Sequence, residues 1–226
     1  MNNCFEKYNI SLSEQKKEKF SLFYGILKIF NDKFNLTAIT EENEVYIKHF
    51  IDSILGEKFV VGKKMIDIGS GGGFPAIPIK IMKDDLSVTL VEATGKKCEY
   101  LKILSEKLDL KDVKVIFGRA EELAADDCYR EKFDTCTARA VAKLNVLCEY
   151  CLPFVKKGGV FIAFKGDAEQ ELKEAENAVK TLGGVIKTVE RFDLEGAKRD
   201  IVVIEKIAPT DRKYPRTNGK IRKYPL

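Results

Sequence analysis

Seven consecutive residues, Asp67-Ile68-Gly69-Ser70-Gly71-Gly72-Gly73, carry the clearest chemical signal in the chain. Glycines at alternate positions after an apolar run permit a left-handed backbone and let a ligand approach the main chain closely. A dinucleotide fingerprint begun at Gly69 needs glycine where the chain has Phe74; begun at Gly71 it finds Ala76, a tolerated variant, but leaves an overlong loop before it. A phosphate loop would end in Gly-Lys-Ser/Thr, and the chain has no such ending. The motif therefore favours a nucleoside cofactor without a pyrophosphate. Asp67 would repel a pyrophosphate but attract a cationic amino-acid portion. Glu92, 23 residues after Gly69, ends the next apolar run, where an acid accepts hydrogen bonds from both hydroxyls of a ribose. S-adenosylmethionine combines these features.

The elements around the loop follow from periodicity. Lys64–Ile68, Ser87–Glu92, Val113–Phe117, Phe133–Ala138 and Gly159–Lys165 read as short buried strands. Helical stretches at 76–83, 95–108, about 121–125 and 142–152 alternate with them, and a long polar helix spans Ala168–Leu182. Such alternation predicts an α/β fold, a doubly wound, mostly parallel sheet with helices on both faces. Val185–Phe192 and Asp200–Lys206 add two more strands joined without a helix, so the last is expected to run antiparallel to its neighbours. Residues 1–60 read instead as a helical extension. Phe20, Phe23, Tyr24, Leu27, Ile29 and Phe30 recur at helical spacing, the Phe20/Phe23/Leu27 stripe is expected to be core, and a second helix is predicted over Glu42–Leu55 with Thr40 as its cap. The expected organisation is thus an extension over 1–60, a cofactor-binding core over 61–207 and a tail over 208–226.

The tail is where the charge sits. Residues 206–226 hold seven basic side chains against the single acid Asp211, while the whole chain carries only +4. That concentration favours a polyanion partner, although charge alone equally fits a solvated, disordered tail. No apolar run is long enough to span a membrane, and the polar N-terminus, from Met1, lacks the layout of a signal peptide, so a cytoplasmic location is expected. The six cysteines follow no disulfide framework. Cys148 and Cys151 make one C-x-x-C on a predicted helix, with a single histidine in the chain, His49, and no metal site is expected. His49 and Asp52, three residues apart, fall on one helix face and read as a packing pair, with substrate contact or orientation of the glycine loop as the functional alternative. Asn35 and Thr37 are expected to cap or brace the loop between the two helices.

Read onward, the loop continues Phe74-Pro75-Ala76-Ile77-Pro78. It joins Asn35-Leu36-Thr37, His49-Phe50-x-Asp52-Ser53, Arg119-Ala120-Glu121, Ala138-Arg139-Ala140-Val141-Ala142, Lys165-Gly166 and the ending Tyr214-Pro215-Arg216 … Pro225-Leu226. In this order, from about residue 10 to the end, the chain resembles the bacterial small-subunit ribosomal RNA guanine-N7 methyltransferases (the glucose-inhibited division protein B family). Ala76 and Ala138 stand where that family usually has glycine and serine. The resemblance implies a seven-stranded Rossmann-like class I methyltransferase sheet. It also implies transfer of a methyl group from S-adenosyl-L-methionine to N7 of a guanine in the decoding-centre loop of 16S rRNA. Implied cofactor contacts are Asp67, Gly69, Gly71, Phe74, Glu92, Ala93, Thr94, Ala120, Glu121 and Arg139.

Guanine N7 carries a lone pair and no proton, so the transfer needs no general base, in keeping with a chain that offers no Ser/His/Asp set. Arg139 is the candidate catalytic residue, positioning guanine or phosphate through O6 and N7, with a structural ion pair as the alternative. Arg212, Lys213, Tyr214, Arg216, Lys220, Arg222 and Lys223 are candidate RNA contacts, Tyr214 and Tyr224 by stacking on bases. The partner implied is 16S rRNA, free or in the assembled small subunit, met by a monomer. Still open are methylation of another RNA or a small molecule, a nicotinamide-dependent oxidoreductase, and an RNA-binding module without catalysis.

Overall fold

The structure, a computed structural model, describes residues 2–226. Met1 and the side chains of Asn2 and Asn3 lie outside the described residues.

Seven strands form one sheet: β1 (Lys64–Ile68), β2 (Ser87–Glu92), β3 (Val113–Phe117), β4 (Phe133–Arg139), β5 (Val155–Lys165), β6 (Gly184–Leu194) and β7 (Ala197–Lys206). Their spatial order is β3-β2-β1-β4-β5-β7-β6. The pairs from β3 through β5 are parallel, and β7 runs antiparallel to both β5 and β6, as the helix-free connection predicts. Chain order reverses between β1 and β4, which opens a crevice at their carboxyl ends.

Successive residues of each central strand point to opposite faces. Met65, Val160, Ile162, Ile201 and Val203 enter one core; Ile66, Ile68, Phe161, Ala163, Val202 and Ile204 enter the other. The first core is roofed by α1 (Asn2–Lys7), α2 (Glu14–Phe34), α3 (Glu42–Val45), α4 (Asp52–Ile54), α5 (Ala76–Met82) and α6 (Gly95–Lys107). Phe20, Phe23 and Leu27 of α2 are buried in it, as their spacing predicts. The second core is covered by α7 (Ala120–Leu123), α8 (Leu144–Cys151), α9 (Glu169–Thr181) and α10 (Asn218–Lys223).

Two expectations are corrected, and one of the two open readings of the tail is closed. The helix expected over Glu42–Leu55 is not uniform: α3 and α4 flank a π-helical segment, Tyr46–Ile51, and wider turns of this kind re-aim side chains. Thr40 does not cap it; Glu41 occupies the cap position without a side-chain bond. The tail is not a solvated, disordered strand but is packed on the second core through Tyr214, Ile221 and Leu226. The short helices α1 and α10 have no counterpart in the sequence reading; six residues hold too few apolar positions to show a period.

Candidate functional site

Two cavities open at the carboxyl edge of the sheet, one beside the ends of β1, β2 and β3, the other beside the ends of β4 and β5.

The first is built by the glycine loop. Gly69 leaves β1 at φ +72°, and a Cβ there would lie 2.7 Å from Cγ2 of Val141. Side chains are thus barred twice, by conformation and by space. The amides of Gly69 and Ser70 both donate to the carbonyl of Val91, at 2.9 and 3.2 Å, and stitch the loop to β2. Gly71, at φ +50°, turns its N–H onto Oε2 of Glu92 at 3.0 Å, while Thr94 N–H reaches Oε1 at 2.9 Å. The Tyr100 hydroxyl donates to the carbonyl of Gly72 at 3.3 Å and braces the loop from behind. Glu92, 7% exposed, is therefore held in one orientation by two amides, and its remaining lone pairs can accept from a diol. Of the sequence candidates, Gly69, Glu92, Ala93, Ala120 and Glu121 line this cavity of about 200 Å³, with Gly71 and Thr94 behind them as supports.

Asp67 is fully buried on β1. Its Oδ1 accepts a 2.6 Å bond from the Thr137 hydroxyl, but Oδ2 has no partner. Burial pushes its carboxyl up to about 7, against the opposing pull of Thr137, Ser70 and Arg139. An orphaned buried oxygen is costly unless a ligand or water completes it. Of the two acceptors, the fixed Glu92 carboxylate lines the cavity and suits a ribose, whereas Asp67 lines neither cavity and stands buried behind the loop, its unpartnered Oδ2 suited to a cation.

Phe74 and Arg139 stand elsewhere. The Phe74 ring stacks on Phe23 at 5.1 Å between centroids and on His49 at 4.6 Å, so it belongs to the first core rather than the nucleoside cavity. An aromatic ring beside the apolar stripe of α2 gains more from burial there than from facing a polar cavity. The Arg139 guanidinium lies 4.9 Å from the same ring centre. It donates to Asp52 Oδ2 at 2.8 Å and to the Lys48 carbonyl at 3.3 Å, and it approaches His49 Nδ1 at 3.2 Å. Sequence reasoning held an ion pair as the alternative role for Arg139, and that pair is present. Through Arg139 the π-helical segment meets the end of β4. Nδ1 of His49 lies 3.1 Å from the Lys48 carbonyl, which only accepts, and 3.2 Å from the Arg139 guanidinium, which only donates, while Nε2 hydrogen-bonds Thr37 Oγ1 at 2.7 Å. Burial and the adjacent Arg139 charge lower the His49 pKa to about 3, which keeps the ring neutral. Thr37 also accepts the amide of Ile39 at 3.0 Å, so the bracing expected of it reaches the imidazole. The second cavity, about 400 Å³, is lined by Lys48, His49, Asp52, Arg139, Lys165 and Arg199 among others. Its four cations, Lys48, Arg139, Lys165 and Arg199, outnumber its three acids, Asp52, Asp167 and Glu171, by one, which suits it to an anionic or electron-rich ligand.

The tail candidates divide. Arg216 is spent on a two-pronged pair with Glu149, 2.7 and 2.9 Å, and Glu149 is 1% exposed. Tyr214 packs on the second core, and Arg212 and Lys213 pair with Asp127 and Asp211 at the surface. Lys220 and Lys223 remain exposed. Arg222 lines the nucleoside cavity with Asn218 and Tyr150, three residues that carry no motif and that the sequence reading did not assign to the cofactor. Cys148 and Cys151 are buried in the second core.

Solved structures share this fold. Precorrin-6y C5,15-methyltransferase from Geobacter metallireducens superposes with a TM-score of 0.54 at 15% identity, over 80% of this chain and 98% of that one. The fold is thus one used by methyltransferases. Residues 16–202 match the family model for GidB, rRNA small subunit methyltransferase G, and the chain belongs to that family. It is 47% identical to the ribosomal RNA small subunit methyltransferase G of Lactobacillus acidophilus, over 97% of this chain and 95% of that protein. It is 44% identical to the protein of that name from Acetivibrio thermocellus, over 97% and 92%.

Proposed function

We propose that the chain binds S-adenosyl-L-methionine in the cavity closed by Glu92 and transfers its methyl group to N7 of a guanine in the decoding-centre loop of 16S rRNA. Family membership supports the reaction and the RNA. The observation that carries the cofactor is the Glu92 carboxylate, clamped by Gly71 and Thr94 amides, on the strand next to the one that holds the unpartnered Oδ2 of Asp67.

The bound cofactor supplies an electrophilic methyl on a sulfonium. Glu92 fixes the ribose, and Asp67 offers its free oxygen to the amino group. The cavity around Arg139 adjoins the loop at the end of β4, on the side where an acceptor base would approach. Guanine presents N7 and O6 together, and cations there neutralise flanking phosphates. Because N7 has no proton to lose, neutral His49 is not required as a base. The rate then rests on alignment and on excluding water from the reacting atoms. In this reading Arg139 positions, held ready by Asp52. The exposed Lys220 and Lys223 meet RNA backbone, the protein acts as a cytoplasmic monomer, and residues 61–207 form the cofactor-binding unit carrying the extension and the tail.

The test is transfer of labelled methyl from S-adenosylmethionine to 16S rRNA, supplied free and within small subunits from cells that lack the gene. Strand scission chemistry specific for 7-methylguanine then locates the product. Label at one guanine supports the proposal; label at another ring position of the base, or none, overturns it.

A further inference from the structure

The last nineteen residues are docked with more care than an RNA-binding tail requires. Arg130, 7% exposed, donates to the carbonyls of Thr210, Asp211 and Tyr214 at 2.8, 3.1 and 2.8 Å. Glu149 grips Arg216 by its side chain and by its amide at 2.7 Å. The Tyr150 hydroxyl donates to Asn218 Oδ1 at 2.6 Å, and Ile221 is fully buried. These four anchors fix α10, and the helix they fix supplies Asn218 and Arg222, four residues apart and so on one helical face, to the lining of the nucleoside cavity. Arg222 is exposed and pairs with no carboxylate among the described residues. The same lining holds Ala93, just after β2, and Ala120 and Glu121, the first residues of α7.

We infer that α10 is the outer wall of the cofactor pocket and that Arg222 contacts the bound nucleoside, so that part of the basic tail serves the cofactor rather than RNA. This rests on the proposed function for its ligand, but on the geometry alone for its residue. A guanidinium is suited to such a wall: its plane covers the face of a purine, and its edge donates to ring nitrogens or to a carboxylate. The anchors explain why it can act there, because a contact from a freely moving tail would lose its gain to the entropy of ordering it.

The test is calorimetric binding of S-adenosylhomocysteine to the full chain without RNA. Arg222→Ala is compared with Arg222→Lys, with Arg191→Ala as an exposed charge far from the pocket, and with the melting temperature of each ligand-free variant. The inference predicts about tenfold weaker binding for Arg222→Ala, partial recovery in Arg222→Lys, no change in Arg191→Ala and unaltered melting, a magnitude in line with a desolvated guanidinium over a ring. Wild-type affinity in Arg222→Ala overturns it, as does a loss confined to RNA binding. A wild-type chain that does not bind S-adenosylhomocysteine at all contradicts the cofactor reading itself, a separate outcome.

Discussion

Arg139 and Asp52 meet in a 2.8 Å ion pair that joins the end of β4 to the helical extension, both side chains largely buried. The pair lines the second cavity, with His49, Phe74 and Lys48 completing its surroundings. It makes the extension part of the site, because without Asp52 the guanidinium would have neither its charge partner nor its orientation.

Removing one partner leaves a buried charge uncompensated, which costs about 3–5 kcal/mol. Asp52→Ala is therefore expected to lower the melting temperature strongly. Arg139→Lys keeps the charge but not the fork, and should retain most stability while losing methyl transfer. If Arg139→Ala kept both transfer and cofactor affinity at wild-type levels, its role at the site would be refuted.

The neutral state of His49 makes a statement about acid. Its folded pKa of about 3 lies below the ordinary imidazole value of 6.5, so between these values the unfolded chain holds the extra proton. Its contribution to stability is present above about 6.5 and is lost as pH falls toward 3, at most about 1.4 kcal/mol per pH unit. In thermal denaturation, the gap between melting at pH 7 and at pH 5 should narrow in His49→Gln. An unchanged gap would mean that the imidazole is protonated in the fold.

Asp67 runs the other way. Its folded pKa of about 7 exceeds the ordinary carboxyl value of 3.8, so its contribution is fully present below about 4 and is lost as pH rises through 7. A cationic ligand favours the ionised form and so expels the proton. Cofactor affinity should rise with pH up to about 7 and then level, while Asp67→Asn should bind weakly with a flat profile. Titration calorimetry in buffers of different ionisation enthalpy reads the released proton directly; no proton release would detach Asp67 from the ligand.

How much of this was legible depends on distance along the chain. Gly69, Gly71 and Glu92 could be read because a turn and the next strand end fall within one local unit of fixed spacing. The mostly parallel sheet followed from alternation, and the reversed β7 from its helix-free link to β6. The Arg139–Asp52 pair was not legible: it joins residues 87 apart through a π-helical segment whose hydrogen bonds leave no mark in residue type. Phe74 misled because its place in the loop suggested the cofactor, while its neighbour in space, Phe23, sits 51 positions earlier in the sequence. The tail misled in the same way, since charge identifies Arg216 as basic but not Glu149 as its buried partner.

That partner also changes how the RNA contact must be probed. Deleting residues 212–226 would bare Glu149 and the pocket of Ile221, so it would damage the fold as well as any RNA surface. Glu149→Ala alone should release the tail and speed proteolysis within 208–217. Lys220→Ala and Lys223→Ala together should leave melting unchanged and lower the slope of log affinity for RNA against log salt by about 2. An unchanged slope would remove these lysines from the RNA surface.

The central claim is methylation of one ribosomal guanine, and modification mapping of 16S rRNA in cells tests it most directly. Cells with the gene, without it, and complemented with Glu92→Ala are compared. The expected result is a single 7-methylguanosine in the decoding-centre loop that disappears without the gene and does not return with Glu92→Ala. An identical set of modifications with and without the gene would contradict the account.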